Sequence, residues 1–393
     1  MSLREPASEA EACALVAEAR AGRRPLTLRG GGTRAGLGRP SNATDVLCAA
    51  RLSGITLYEP SELVIGARAG TPVRLVEETL AARGQMLPVE PADHRRLYGT
   101  SGEPTVGGLV AANASGPRRF AAGAVRDHLI GVRFVNGRGQ AVKSGGRVMK
   151  NVTGLDLVKL QCGAHGTLGF LTEVTFKVVP RPETAATLVL HGLDDARGVA
   201  ALTQATGTPF EVTGAAHLPA AAGAGARTLL RLEGFGASVD DRATRLAALL
   251  AAFGPAERLD AAAAAPLWDD LRDGVALGAG REAAVWRVSV APTAGPALAA
   301  RLAGTAARHA FDWAGGLVWL ATDPSGDAGA AAVRAALAGL GGHATLVRAP
   351  DAVRAAAEVF EPLPPPLAAV TRSIKASFDP EGLLNPGRMY GGV

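Results

Sequence analysis

Cysteine is scarce in this sequence, and its three cysteines lie far apart at Cys13, Cys48 and Cys162. An odd and dispersed set provides neither a disulfide framework nor the four thiolates that hold an iron-sulfur cluster. A reducing compartment is therefore expected, and no iron-sulfur site is available within this chain.

Long apolar runs are also lacking. No stretch of about 18 apolar residues occurs, and the N-terminal positions Glu5, Glu9 and Glu11 are acidic. The sequence therefore predicts neither a signal peptide nor a membrane span, and a cytoplasmic protein is expected, which would meet the inner membrane only through partners. The net charge of +5 is spread along the chain, which argues against a nucleic-acid-binding stripe.

The common hydrolase motifs are missing. Glu103 and Asn113 interrupt the nearest matches to the G-x-S-x-G pattern of serine hydrolases, and no H-E-x-x-H pair occurs. The seven histidines are isolated from one another. These absences disfavour a serine or zinc hydrolase, and no metal site is predicted.

Glycine is abundant, with 50 residues, and a G-G-G-T loop at residues 30–33 follows the strand-like stretch 25–29. Such a loop exposes a row of amides without side chains. Its alternating glycines and Ala35 also fit the Rossmann pattern G-x-G-x-x-[GA], but residues 36–42 contain Gly, Pro, Ser and Asn where that pattern needs a helix. A nicotinamide site is therefore disfavoured, and an ordinary surface turn remains the other interpretation.

A second glycine-rich stretch runs from residue 99 to residue 180. Its glycines stand at the ends of apolar segments, where the backbone must turn tightly or lie close to a ligand. They are Gly102, Gly107, Gly108, Gly116, Gly163, Gly166 and Gly169. Together with the first loop they favour a dinucleotide held by backbone groups from several separate loops.

The chain is long enough for two domains. Residues 8–11 form a capping box that starts a helix, and Asn136-Gly137 predicts a β-hairpin. The prolines at 180 and 182 mark a boundary, after which Ala-rich helices alternate with short strands. We expect an α+β protein with domains at 1–182 and 183–350 and a C-terminal segment at 351–393. In the second domain, helices on one face of an antiparallel sheet are the simplest arrangement.

Five segments in order resemble one superfamily: RGGGTRAGLG (29–38), PTVGGLVAANASG (104–116), LDLVKL (155–160), GAHGTLGFLTEVT (163–175) and FDPEGLLNPGRMY (378–390). They are similar to the FAD-linked oxidases of the vanillyl-alcohol oxidase and p-cresol methylhydroxylase type. Within it, the chain most resembles the family of FAD-binding E subunits of bacterial glycolate oxidase. The resemblance implies a two-lobed FAD-binding domain, a smaller α+β cap domain with an antiparallel sheet, and a tail that returns to the FAD domain.

The resemblance also implies cofactor-binding positions. It assigns the diphosphate to the amides of residues 30–33 and to Gly107 and Gly108, and the adenine to the region 166–174. The candidate cofactor-binding residues are Gly30, Gly31, Gly32, Thr33, Thr105, Gly107, Gly108, Asn113, Gly116, Gly166, Thr167, Gly169 and Val174. Covalent attachment in this superfamily commonly uses a histidine beside the first loop, where this sequence has Thr33 and Arg34, so noncovalent FAD is expected.

Oxidation of a 2-hydroxy acid needs a base for the hydroxyl proton and a cation for the carboxylate. The histidine-rich motif of the catalytic relatives has no equivalent here, and His343 is the candidate catalytic residue. Arg118, Arg119 and Arg348 are the candidate substrate-binding residues.

The missing motif favours a flavin-bearing partner over a self-sufficient catalyst. The resemblance implies a glycolate oxidase complex with a second FAD-binding subunit and an iron-sulfur subunit, which oxidises glycolate to glyoxylate. A self-contained FAD-dependent 2-hydroxy acid dehydrogenase and an assembly subunit that has lost FAD remain the alternatives.

Overall fold

The computed structural model describes residues 2–146, 154–221 and 224–393. The chain divides into two compact units. The first contains residues 1–114, 123–181 and 362–393, and the second contains residues 115–122 and 182–361. The predicted boundary at residue 182 lies beside the observed one. The second boundary lies at 361 rather than 350, and the short segment Ser115–Ala122 belongs to the second unit.

The strands are numbered along the chain. They are β1 Ser2–Arg4, β2 Leu26–Arg29, β3 Asp45–Cys48, β4 Ile55–Glu59, β5 Val64–Arg68, β6 Gln85–Met86, β7 Leu129–Val135, β8 Ala141–Gly145, β9 Phe170–Lys177, β10 Val179–Pro180, β11 Thr184–His191, β12 Val212–Leu218, β13 Arg227–Gly234, β14 Ala256–Asp260, β15 Ala284–Ser289, β16 Ala306–Asp312, β17 Leu317–Thr322 and β18 His343–Arg348.

The α-helices are numbered in the same way. They are α1 Glu9–Ala21, α2 Val73–Ala81, α3 Arg95–Tyr98, α4 Val106–Ala112, α5 Arg119–Ala122, α6 Val125–His128, α7 Leu157–Gln161, α8 Asp195–Thr206, α9 Gly236–Leu249, α10 Ala261–Arg272, α11 Gly295–Arg301, α12 Ala330–Ala336, α13 Asp351–Ala356 and α14 Pro365–Phe378. Within the described residues, no helix is both long enough and apolar enough to span a membrane.

The first unit has two lobes, each with its own sheet and core. A parallel sheet of order β1-β3-β2 forms one lobe, and an antiparallel sheet of order β4-β5-β9-β7-β8 forms the other. The first core includes Val16 and Leu47 together with Leu383 and Leu384 of the C-terminal tail. The tail is therefore an integral part of this unit, as the resemblance implied.

The second unit contains an eight-stranded antiparallel sheet of order β14-β11-β13-β12-β16-β17-β15-β18. Leu188 and Leu230 pack beneath α8 and α9 on one face. Their neighbours Val189 and Leu229 pack with Trp268 of α10 on the other face. The prediction of helices on one face alone is therefore wrong: these strands are apolar at successive positions, so both sheet faces need a cover.

Candidate functional site

A cavity opens in the first unit, and both polar and apolar groups line it. Four separate segments form most of its wall: the first glycine loop, helix α4 with the residue before it, the turn into β9, and the C-terminal tail. The lining includes Leu28, Gly30, Gly31, Gly32, Thr33, Arg34, Ala69, Thr105, Gly107, Gly108, Ala111, Ala112, Gln161, His165, Gly166, Gly169, Leu171, Asn385 and Arg388.

The first glycine loop packs main chain to main chain against the segment that precedes α4. A Cβ atom on Gly31 would lie 1.7 Å from the carbonyl oxygen of Glu103, and one on Gly102 would lie 1.8 Å from the carbonyl oxygen of Gly31. A Cβ atom on Gly30 would lie 2.2 Å from Oγ1 of Thr105. No side chain fits in these gaps, so the glycines allow two distant segments to meet at the cavity wall.

The amides of the first loop are available to a ligand. In residues 2–146, 154–221 and 224–393, the N–H groups of Gly31, Gly32 and Thr33 donate to no protein acceptor. Buried or half-buried backbone donors normally have an acceptor, and an anion in the cavity would supply one.

The amides of the second loop are already used, which corrects one prediction. The N–H of Gly107 donates to the carbonyl of Ala69 at 2.8 Å, and the N–H of Gly108 donates to Oγ1 of Thr105 at 3.3 Å. A Cβ atom on Gly107 would lie 2.8 Å from the Ala69 carbonyl oxygen. These two glycines therefore line the cavity through close packing and do not offer their amides to a diphosphate.

Two arginines add positive charge to the lining. Arg34 donates from Nε to Nδ1 of His94 at 3.3 Å, and Arg388 donates from its guanidinium to the carbonyl of Ala35 at 3.1 Å. Burial, followed by the charges of Arg388 and Arg34, lowers the pKa of His165 to about 3. His165 is therefore a neutral imidazole at the cavity wall, and the guanidiniums provide the local charge.

The C-terminal tail fixes one wall of the cavity. The N–H of Leu28 donates to Oδ1 of Asn385 at 2.8 Å, and Nδ2 of Asn385 donates to the carbonyl of His165 at 2.7 Å. Nζ of Lys375 donates to Oδ2 of Asp379 at 2.6 Å and to the carbonyl of Thr167 at 2.7 Å. The sequence interpretation missed Asn385, Lys375 and Arg388 as site residues, although two of them lie in the motif at residues 378–390 that supported the resemblance.

Four predicted cofactor-binding residues do not line the cavity. Asn113 has φ of 46° and accepts the N–H of Arg126 on its side chain at 3.1 Å. Val174 is fully buried in β9, and the hydroxyl of buried Thr167 donates to the carbonyl of Ala164 at 2.8 Å. Gly116 belongs to the second unit, where its carbonyl accepts Nε1 of Trp313 at 3.2 Å. Each of these residues has a structural contact in place of a cavity wall.

The predicted substrate-binding residues lie in the second unit and do not form one cluster. The guanidinium of Arg118 forms an ion pair with Glu233, with Nε to Oε2 at 2.9 Å. Arg348 donates to the carbonyls of Ala283 at 3.0 Å and Gly280 at 2.6 Å. Both arginines are thus held by local structural contacts, and their substrate-binding role stays a prediction.

Arg119 and His343 have different surroundings. The guanidinium of Arg119 lies 4.9 Å from the ring centroid of Trp313. His343 is the first residue of β18 and pairs with Ser289. Burial, followed by the charge of Arg287, lowers the pKa of His343, so its imidazole is neutral at neutral pH. The sequence interpretation did not identify Arg287, whose guanidinium also lies 4.9 Å from the Trp313 ring centroid.

Comparison with known proteins places this geometry in context. A family model described as an FAD binding domain matches residues 2–145. The chain is 36% identical to the glycolate oxidase subunit GlcE of Escherichia coli (strain K12), over 93% of each chain. It is 31% identical to the glycolate oxidase subunit GlcD of Bacillus subtilis (strain 168), over 42% of this chain and 34% of that protein.

The likeness extends to enzymes and to a solved structure. A D-lactate dehydrogenase of Anaerostipes hadrus is 31% identical over 36% of this chain and 28% of its own length. A structure of alkyldihydroxyacetonephosphate synthase superposes with a TM-score of 0.68 at 17% identity, covering 98% of this chain and 76% of that one. These findings confirm the predicted fold class, the predicted FAD cofactor and the predicted superfamily resemblance.

Proposed function

The chain belongs to the family of the glycolate oxidase subunit GlcE, and from this premise we propose that it acts on a small 2-hydroxy acid, glycolate first, as one subunit of a larger complex. FAD is its cofactor and FAD-dependent oxidoreduction its chemistry. The observation that supports the proposal most directly is the set of unused amides at Gly31, Gly32 and Thr33 beside two arginines. This combination suits the diphosphate of a dinucleotide.

The residues of the cavity match the parts of FAD. The amides of Gly31, Gly32 and Thr33 would donate hydrogen bonds to the diphosphate, and Arg34 and Arg388 would balance its charge. The apolar lining, which includes Leu28, Ala69, Ala111, Ala112 and Leu171, would exclude water from the ring systems. When bound, FAD supplies the acceptor for a hydride removed from an alcohol carbon.

We propose that the FAD is held without a covalent bond. Thr33 and Arg34 stand beside the loop where a covalent site in this superfamily commonly has a histidine. Acid precipitation should therefore release the yellow chromophore into the supernatant, and a chromophore that stays with the pellet would contradict the proposal.

The partner subunits are part of the proposal. The free cysteines Cys13, Cys48 and Cys162 cannot hold an iron-sulfur cluster in one place. Electrons that leave the flavin would therefore pass to a second FAD-binding subunit and an iron-sulfur subunit. The similarity to GlcD over 42% of this chain supports a pair of related flavin subunits.

The test is to purify the chain alone and with co-expressed second flavin and iron-sulfur subunits, and to record the flavin spectrum before and after addition of glycolate. We expect bound FAD in both samples and glycolate-dependent bleaching only with the partners. Bleaching of the isolated chain would favour the self-contained dehydrogenase. A colourless chain that cannot take up FAD would overturn the flavin assignment.

Two alanine variants make this test specific. Gly31→Ala should abolish FAD uptake, because its Cβ would lie 1.7 Å from the Glu103 carbonyl oxygen. Gly391→Ala lies in the same unit, and its Cβ would meet no described atom within 4 Å. Normal FAD content in Gly31→Ala, with the control also normal, would show that the loop does not hold the cofactor.

A further inference from the structure

The two faces of the eight-stranded sheet in the second unit differ in polarity near β15. Strand pairing places Arg287 of β15 between Thr345 of β18 and Trp319 of β17. Cross-strand partners project to the same face of a sheet. Ser289 and its partner His343 follow on that face two residues further along. A row of polar side chains therefore crosses three adjacent strands.

Arg287 is a cation that no carboxylate of the described residues holds by a hydrogen bond or an ion pair. It is half-buried, and across the described ranges of the chain it makes no hydrogen bond or ion pair, although its guanidinium lies 4.9 Å from the ring centroid of Trp313. Burial, followed by the charge of Arg119, lowers the pKa of Arg287 to about 10, and Asp312 opposes this effect. Arg287 is therefore still charged at neutral pH.

Arg231, another arginine on the same sheet face, allows a comparison of the partners of a stacked guanidinium. Arg231 lies over the ring of Trp268, at 4.6 Å from guanidinium to centroid, much as Arg287 lies near Trp313. Arg231 also has Glu233, with Nε to Oε2 at 3.6 Å. The stacked guanidinium at Arg231 has an ion-paired carboxylate, whereas the one at Arg287 forms no ion pair with any described residue.

Trp319 is a second donor without an acceptor. Its side chain is 6% exposed, and its indole Nε1 is buried with no hydrogen-bond partner among the described residues. Buried donors in proteins are nearly always paired. The sequence contains three other tryptophans, and the indole N–H of each donates: Trp268 to Thr187 at 3.0 Å, Trp286 to Ala328 at 2.9 Å and Trp313 to Gly116 at 3.2 Å.

We propose that Arg287 and Trp319 bind the carboxylate group of a small monocarboxylate anion. A carboxylate has two oxygens and one charge, which matches a guanidinium plus an indole N–H. The nearby charge of Asp312 disfavours a phosphate dianion. That the anion is the 2-hydroxy acid substrate rests on the function proposed above, whereas the anion site itself rests on the second unit alone.

The row also suggests how a hydroxy acid would lie. With its carboxylate on Arg287, the hydroxyl end could extend along the same sheet face toward the neutral imidazole of His343. His343 is the candidate catalytic residue of the sequence interpretation, and Arg119 lies on the ring of Trp313 as Arg287 does. Arg287 is thus a further substrate-binding candidate besides Arg118 and Arg348.

The experiment is isothermal titration calorimetry of the full-length flavin-loaded protein with acetate, glycolate and the neutral amide glycolamide. Acetate cannot be oxidised, so it reports the anion site without turnover. We expect acetate and glycolate to bind and glycolamide not to bind. Arg287→Gln should weaken acetate binding by about 10–100-fold, the loss of one charge-assisted hydrogen-bond pair, and Trp319→Phe by about 3–10-fold.

Controls separate the site from folding and from function. Arg258→Gln removes an exposed arginine of β14 paired with Asp240 and should leave acetate binding unchanged. Thermal unfolding of each variant identifies any that fail to fold, and Trp319→Phe then provides the independent test. Unchanged acetate binding in folded Arg287→Gln and Trp319→Phe would overturn the site. If acetate binding depends on Arg287 but glycolate does not reduce the flavin, even with the partner subunits, the result would uphold the anion site and contradict the proposed function.

Discussion

The buried ion pair between Lys375 and Asp379 supports one wall of the cavity, and its removal has a calculable effect. The side chains of Lys375 and Asp379 are 5% and 0% exposed. Breaking a buried pair by removing one partner typically costs about 3–5 kcal/mol, because an unpaired charge stays buried. Lys375→Met should therefore lower the free energy of unfolding of the first unit by about that amount, or its melting temperature by about 6–20 °C.

The same substitution should weaken FAD binding. Nζ of Lys375 holds the carbonyls of Thr167 and Leu384, at 2.7 and 2.8 Å. These residues adjoin the turn at His165 and the tail residue Asn385, both of which line the cavity. Loss of the ammonium releases both segments at once. The assays are urea unfolding followed by circular dichroism and an FAD titration followed by flavin fluorescence.

Two controls decide the interpretation. Arg20→Gln breaks an exposed pair with Glu381 of the same tail, and it should change stability little because solvent screens this pair. The double variant Lys375→Met with Asp379→Asn removes both charges and should recover much of the loss. A Lys375→Met protein as stable as Arg20→Gln, with unchanged FAD affinity, would refute the reasoning.

Three further predictions concern the second unit and the cavity. Burial opposes ionisation of Asp195, but the imidazoles of His217 and His309 beside its carboxylate hold its pKa well below the usual range. The stabilising effect of the ionised carboxylate is present above about pH 4 and is lost as the pH falls below it. Urea midpoints should therefore fall less steeply in acid for Asp195→Asn. Arg118→Gln should lower stability and leave the glycolate KM of the complex unchanged, because Arg118 is paired with Glu233; a raised KM at unchanged stability would support its predicted role. Because the pKa of His165 is lowered to about 3, the FAD affinities of the wild type and of His165→Asn should change with pH in the same way between about pH 5 and 8. An FAD titration at each pH measures this. A transition near pH 6.5 that the wild type shows and His165→Asn lacks would contradict the neutral state of His165.

Local signals in the sequence predicted local structure well. The capping box at residues 8–11 predicts the start of α1, and the side chain of Ser8 does accept the N–H of Glu11. The carboxylate of Glu11, however, accepts from Ala7 rather than from Ser8. Asn136-Gly137 does join β7 to β8, where Oδ1 of Asn136 accepts the N–H groups of Arg138 and Gln140. These contacts span a few residues, so the sequence alone contains the information.

The features that the sequence could not predict depend on contacts between residues that are far apart along the chain. Gly107 is a glycine in a family motif, but whether its amide is free depends on the carbonyl of Ala69, nearly forty residues earlier. Strand β14 was not predicted from the sequence. It is an edge strand, and its sequence AERLD shows no alternation of apolar and polar residues. Likewise nothing local distinguishes Arg118, which has an acidic partner 115 residues away, from Arg287.

The two candidate sites therefore differ in how strongly the fold constrains them. The FAD cavity is bounded by close backbone packing, as at Gly31, where an added Cβ atom would lie 1.7 Å from the Glu103 carbonyl oxygen. Its unused donors are backbone amides at Gly31, Gly32 and Thr33, whose positions depend on the fold rather than on the identity of a side chain. The donors on the second unit are side chains on one sheet face, and a substitution there changes a ligand contact without disturbing strand pairing. Substitutions at Arg287 and Trp319 are therefore expected to change anion binding, whereas substitutions in the first glycine loop are expected to change FAD uptake.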